Sequence, residues 1–126
     1  MKLAIIGSRG IKNICLDDYL PEGITEIVSG GAIGVDRLAR AYAKEQRLLL
    51  TEFLPDYQSY GRRAPLLRNN DIIDHADEVV AFWDGKSSGT GYVIDRCQKI
   101  GKKVTVFTFS GDKLVEKTVW NSVKLF

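Results

Sequence analysis

Five short runs rich in β-branched and aromatic residues, with helical spacing between most of them, constrain this chain more than any other feature. The runs are Lys2–Ile6, Ile24–Val28, Leu48–Leu54, Glu78–Trp83 and Lys103–Phe109. Each is nearly continuous in apolar character. A strand with one solvated face alternates apolar and polar residues, whereas a strand covered on both faces does not. Between the runs, Val35, Leu38, Ala39 and Tyr42 follow the i, i+3, i+4, i+7 spacing of one buried helical stripe. Leu66, Ile72, Ile73 and Ala76 make a second, less regular stripe, with Pro65 suited to the first helical turn. Val93, Ile94, Cys97 and Ile100 make a third, and Gly101 is placed to end it.

Strand and helix therefore alternate, which predicts an α/β fold. Expected is a Rossmann-like, doubly wound and mostly parallel five-stranded sheet with helices on both faces. The first crossover, Ser8 to Gly23, is short, and its NICLDDYL stretch has room for only about two helical turns. After Phe109 the sequence GDKLVEKTVWNSVKLF predicts a turn and then a C-terminal edge strand or hairpin. The 126 residues, 44% of them apolar, suffice for one domain spanning 1–126 with a real core.

Charge and cysteine usage remove several function classes. The formal net charge is +2, so bulk electrostatics supply no argument for nucleic acid or for an anionic membrane. Arg62, Arg63 and Arg68 form a local basic cluster only. Cys15 and Cys97 lie far apart without a His or second Cys at metal-ligand spacing, and both are expected to be reduced, buried thiols. No metal and no cofactor is expected. MKLAIIGSRG has too short an apolar stretch for a signal-peptide core, and no later run approaches a membrane span. A cytoplasmic protein without membrane contact is expected.

The polar chemistry gathers at strand ends. Ligands of open parallel sheets bind outside the carboxyl ends of the strands. Three such ends carry glycine-rich loops: Gly7-Ser8-Arg9-Gly10, Ser29-Gly30-Gly31-Ala32-Ile33-Gly34 and Asp84-Gly85-Lys86-Ser87-Ser88-Gly89-Thr90. Glycines let backbone N–H groups approach an anion, and a helix start adds unpaired donors and partial positive charge. Hydroxyls, Arg9 and Lys86 add donors of their own. A tight βα turn uses glycine for purely structural reasons as well. The three loops together point to phosphate binding in one pocket. Neither a P-loop nor a Rossmann G-x-G-x-x-G is present, because the glycine spacing fits neither.

Further residues fall beside these loops. Asp36, in the first turn after the second loop, reads either as a helix-start carboxylate or as an acceptor for ribose hydroxyls. Arg68 and Asn69 read as a solvated helix face or as ligand contacts. His75, the only histidine, reads as structural. Trp83 belongs to the core or stacks a base.

Four segments carry a resemblance. Gly7-Ser8-Arg9, then Ser29-Gly30-Gly31-Ala32-x-Gly34-x-Asp36-x-Leu38-Ala39, then Arg68-Asn69, then Phe82-Trp83-Asp84-Gly85-Lys86-Ser87-x-Gly89-Thr90 resemble the YspA-like branch of the SLOG superfamily. That superfamily is related to the Lonely Guy phosphoribohydrolases and to the DNA-processing protein A family. The resemblance runs from Lys2 to about Phe109 and implies a Rossmann-like fold that binds a nucleotide or nucleotide-derived ligand, as a sensor or binding module. It implies ligand contacts at Gly7, Ser8, Arg9, Ser29, Gly30, Gly31, Gly34, Asp36, Arg68, Asn69, Asp84, Lys86, Ser87, Gly89 and Thr90. Relatives often pair, so a homodimer is expected, helped by apolar surface at Trp120 and Phe126.

The alternatives are a nucleoside-monophosphate phosphoribohydrolase, which is an N-glycosidase, and a single-stranded DNA-binding protein. The near-neutral charge and sparse aromatics speak against nucleic acid. The phosphoribohydrolases read Pro-Gly-Gly-x-Gly-Thr-x-x-Glu at the last loop, with a catalytic Glu. Here neither Pro-Gly-Gly nor the acid is present, and Val93 stands where that Glu would be. Cleavage of an N-glycosidic bond needs a carboxylate near the sugar. Asp95 lies about 200° around the helix from Val93, which leaves Asp36 and Asp84 as replacements.

Overall fold

Every apolar run forms a strand, and every strand but the last points the same way. In the computed structural model, which describes residues 1–121, the strands are β1 (Lys2–Gly7), β2 (Glu26–Ser29), β3 (Leu49–Glu52), β4 (Glu78–Trp83), β5 (Val104–Ser110) and β6 (Lys113–Trp120). The helices are α1 (Val35–Glu45), α2 (Tyr57–Tyr60), α3 (Ala64–His75) and α4 (Ser88–Ile100). The sheet order is β3-β2-β1-β4-β5-β6. The first five strands are parallel, and β6 returns antiparallel on β5 with a bulge at Thr108/Phe109. The sheet is therefore six-stranded, the expected five plus the expected C-terminal edge strand. Residues 122–126, Phe126 included, lie outside the described residues.

Alternation along β1 sends Ala4 and Ile6 to one core layer and Leu3 and Ile5 to the other. The first layer, under α3 and α4, gathers Ile72, Ile73, Val79, Val93, Cys97 and Val104. The second, under α1, gathers Ile27, Val35, Ala39, Phe82 and Phe107. Leu3, Ile5, Ile27, Ile73 and Phe82 are wholly buried, each worth about 1.5–3 kcal/mol by removal from water. Gly101 ends α4 in the left-handed conformation (φ 75°, ψ 24°). No helix among the described residues is long and apolar enough to cross a membrane.

Four expectations need correction. The first crossover holds no two-turn helix, only a 3-10 turn at Leu16–Asp18. Eight residues cannot repay helix nucleation alone, and here side-chain packing holds the segment instead. Ile11 and Leu16 are buried, and the Tyr19 ring meets Phe82, Phe107 and Phe109 edge-on at centroid distances of 5.6, 4.9 and 5.9 Å. Second, β3 is not covered on both faces. It is the sheet edge, with Leu49 and Leu50 exposed.

Third, two stripe residues face solvent, Leu66 on α3 and Ile100 on α4. Each sits near a helix end, where the core layer no longer covers the helix. Fourth, Cys15 is exposed, because it precedes the 3-10 turn on the outside of the crossover. Cys97 is buried as expected, and burial pushes its thiol up to about 11.

His75 takes a structural place. Its Nε2 lies 2.6 Å from Glu26 Oε2, and Thr51 donates its hydroxyl to the same oxygen at 2.9 Å. The His75 bond is the main cause that lowers the Glu26 carboxyl below its usual range. This cluster ties α3 to β2 and β3 at the sheet edge remote from the glycine loops.

Candidate functional site

Because β1, β2 and β4 are adjacent and parallel, their three following loops lie side by side at one sheet edge. A cleft of about 480 Å³ opens between them. Gly7, Ser8, Arg9 and Gly10 line it from the first loop, and Gly30, Ala32, Ile33 and Asp36 from the second. Asp84, Ser87, Ser88, Gly89 and Thr90 line it from the third. Pro65, Arg68, Asn69 and Ile72 close it along α3. Of the candidate residues, Ser29, Gly31, Gly34 and Lys86 stand outside this lining. Sequence reasoning did not single out Ile6, Pro65 or Ile72 for the cleft. They read as core or helix residues, and only the approach of α3 to β1 brings them there.

The loops are knitted together by their own polar groups. Ser8 is buried, and its N–H donates to Phe82 O at 2.9 Å, extending the β1–β4 ladder. Its hydroxyl oxygen accepts from the Asp84 N–H at 3.2 Å, which joins the first loop to the third. Ser29 Oγ accepts from Gly31 N at 3.3 Å inside the second loop. At Gly34, φ is 77° and an added Cβ would sit 3.1 Å from Arg9 O, so the first and second loops touch where glycine alone fits. At Gly7 an added Cβ would strike the Val35 side chain at the start of α1. These positions are glycine for reasons of packing and φ.

Gly89 differs. An added Cβ there meets nothing within 4 Å among the described residues, and its φ is an ordinary one. Glycine in a helix costs about 0.5–1 kcal/mol relative to alanine, and no internal contact explains that cost. Gly89 lies in the first turn of α4, whose Ser87 N-cap makes no side-chain cap bond. The opening N–H groups of α4 thus have no side-chain acceptor from the N-cap, and Ser88, Gly89 and Thr90, which carry them, line the cleft. Thr90 is 4% exposed and lines the cleft, and its hydroxyl makes no hydrogen bond among the described residues.

The charged residues divide by how far they are engaged. Asp84 Oδ1 accepts from Lys86 N at 2.9 Å and Ser87 N at 2.8 Å, and Oδ2 accepts from Ser87 Oγ at 2.9 Å. The Ser87 and Lys86 N–H bonds, in that order, hold its carboxyl down at about 2. Asp84 therefore shapes the loop that precedes α4. Arg68 donates through Nη1 to Gly30 O at 2.9 Å and more weakly to Phe53 O, and through Nε to Asn69 Oδ1 at 2.9 Å. It braces the ends of β2 and β3 from α3.

Asp36 is half-buried, and its Oδ2 accepts from Ala32 N at 3.0 Å. Burial raises its carboxyl above the usual range, against the pull of that N–H and of Arg68. Arg9 is exposed at the mouth and forms no ion pair among the described residues. Trp83 packs against the first core layer, donates its indole N–H to Ser87 O at 3.0 Å and does not line the cleft. Val93 is wholly buried, and Asp95 pairs with Lys99 at 2.9 Å on the solvent side of α4. Among the described residues no group of three His, Cys, Asp or Glu is placed to hold a metal ion.

No family model, no curated protein and no solved structure matches the chain.

Proposed function

We propose that the cleft binds a nucleotide or nucleotide-derived ligand, and that the chain works as a sensor or binding module of the SLOG type. The observation that carries this reading is the uncapped start of α4 at Gly89, a glycine with no internal reason to be one, inside a cleft built from three glycine loops. A phosphate fits the Ser88–Thr90 N–H groups, the free Thr90 hydroxyl and Arg9. Asp36 suits sugar hydroxyls, since a carboxylate repels phosphate but accepts from a diol. Ile33 and Pro65 offer apolar surface for a base.

Mass spectrometry of small molecules that co-purify with the protein, followed by calorimetry with AMP, ADP, GMP, GDP, CMP and UMP, tests the reading. Saturable binding of at least one nucleotide is expected. No binding across the panel refutes it.

One observation favours a second reading, a nucleotide N-glycosidase. Asp36 is a half-buried carboxyl in the cleft whose proton affinity burial has raised, the property a general acid or base at the sugar needs. Chromatography for free base released from the same monophosphates separates the readings: turnover abolished by Asp36→Asn supports the enzyme.

A further inference from the structure

The connection from β3 to α3 is long, and past Phe53, which packs on the first core layer, its polar and aromatic side chains make no contact with the core layers. It runs over residues 53–63, whereas a βα connection commonly takes about 2–6 residues. Every residue from Asp56 to Arg63 is exposed, with Tyr57 at 59% and Tyr60 at 55%. Among the described residues the side-chain hydrogen bonds of this stretch stay within the turn itself: Asp56 caps it, accepting from Ser59 N at 3.1 Å. Arg62 and Arg63 pair with no carboxylate there.

One end packs against the second glycine loop and the other meets the cleft rim. Leu54 packs over Gly31, where an added Cβ would come 2.7 Å from its Cδ2, so the segment leaves beside the second glycine loop. Ala64 is buried and Pro65 lines the cleft, so the segment re-enters at the rim on the α3 side. Gly61 stands between the tyrosines and the arginines with φ 57° and open space around it, a position free to absorb a change of backbone angle.

We propose that residues 55–63 form a lid that closes on the nucleotide, stacking Tyr57 or Tyr60 on the base and bringing Arg62 and Arg63 to its phosphate. The proposal rests on the nucleotide reading of the cleft. The four side chains match that ligand's two chemistries. Aromatic faces stack on every base but more strongly on the larger purines, and two arginines add positive charge that the cleft lining itself carries only in Arg9 and the partly engaged Arg68. The tyrosines then set base preference while the α4 start sets phosphate affinity.

Calorimetry with the six-nucleotide panel is run first on the wild-type protein. If none binds, the cleft reading and the lid fall together. If one binds, limited trypsin digestion reads the lid directly, because Arg62 and Arg63 offer an exposed cleavage site. Closure predicts that the bound nucleotide slows cutting there at least five-fold. Tyr57→Ala/Tyr60→Ala should weaken the same nucleotide about ten-fold or more and flatten the difference between purine and pyrimidine. Circular dichroism checks that the variant is folded, and Tyr57→Phe/Tyr60→Phe should retain the wild-type affinity. Wild-type affinity in the alanine variant together with unchanged cutting overturns the lid and leaves the cleft reading standing. Protection by a dT oligomer but by no mononucleotide also overturns it, since the segment would then read single-stranded nucleic acid.

Discussion

Replacing Gly89 by alanine separates a structural glycine from a functional one, because stability and binding should move in opposite directions. The position is helical, in the first turn of α4, and an added Cβ meets nothing within 4 Å. Alanine there restricts the unfolded chain without strain in the folded one, so the free protein should gain about 0.4–1 kcal/mol. For a chain of this size that is a rise in Tm of about 2–4 °C. The new methyl group would stand where the proposed phosphate must approach the helix N–H groups. Loss of one charge-assisted hydrogen bond costs about 1.5–3 kcal/mol, roughly ten- to a hundred-fold in Kd.

Gly7→Ala is the control. Its methyl would run into Val35, a packed core residue, so about 1–3 kcal/mol of stability should be lost. Thermal melting and calorimetry with a bound nucleotide read both effects. A Gly89→Ala protein that melts higher and binds as well as wild type would falsify the phosphate placement. One that melts lower refutes the claim that the position is open.

Three further outcomes are expected. Arg9→Ala should leave Tm unchanged and weaken a nucleotide about ten-fold or more while barely altering its nucleoside. Equal losses for both in calorimetry remove Arg9 from the phosphate site. The Asp84 carboxyl is held down at about 2 in the fold, against about 3.9 in an unfolded chain. Its contribution to stability is thus present above about pH 4 and lost as pH falls towards 2. Asp84→Asn should flatten that part of the Tm-against-pH curve, and identical curves would contradict the bonding pattern around it. Leu114, Val115, Val119 and Trp120 leave β6 with exposed apolar side chains, which a second copy of the chain is expected to cover. Light scattering that reports a monomer at high micromolar concentration rejects this.

The parts of the fold that were legible in sequence are those where one local rule acts unopposed. β4 was read to its boundaries because a β-branched and aromatic run, buried on both faces, leaves no competing period. The end of α4 was read from Gly101, since only glycine enters the left-handed cap without strain. The first crossover was misread because its apolar spacing suits a helix, while the stabilising contacts are long-range. Tyr19 finds three phenylalanines on β4 and β5 that no local pattern announces. The exposure of β3 was equally hidden. LLLTEFL carries the composition of a buried strand, and its edge position follows from sheet order alone.

The candidate site divides along a similar line. Glycine at strand ends told where the loops would meet, because parallel strands put their carboxyl ends on one edge. It did not tell which glycines serve packing and which leave space. Gly7, Gly31 and Gly34 answer to Val35, to Leu54 with a positive φ, and to Arg9 O. The same sequence signal at Gly89 answers to nothing among the described residues. Charge was ambiguous for the same reason. Asp84 and Arg68 sit close to Ser87 and Asn69 in sequence much as ligand-binding residues would, yet Asp84 is taken up by Ser87 and Lys86, and Arg68 is partly taken up by Gly30 and Asn69. Free capacity is left at Arg9, the Thr90 hydroxyl and the α4 N–H groups, with Asp36 at their side. A ligand that is anionic at one end and hydroxyl-bearing in the middle uses all four, and a neutral apolar ligand would use none of them.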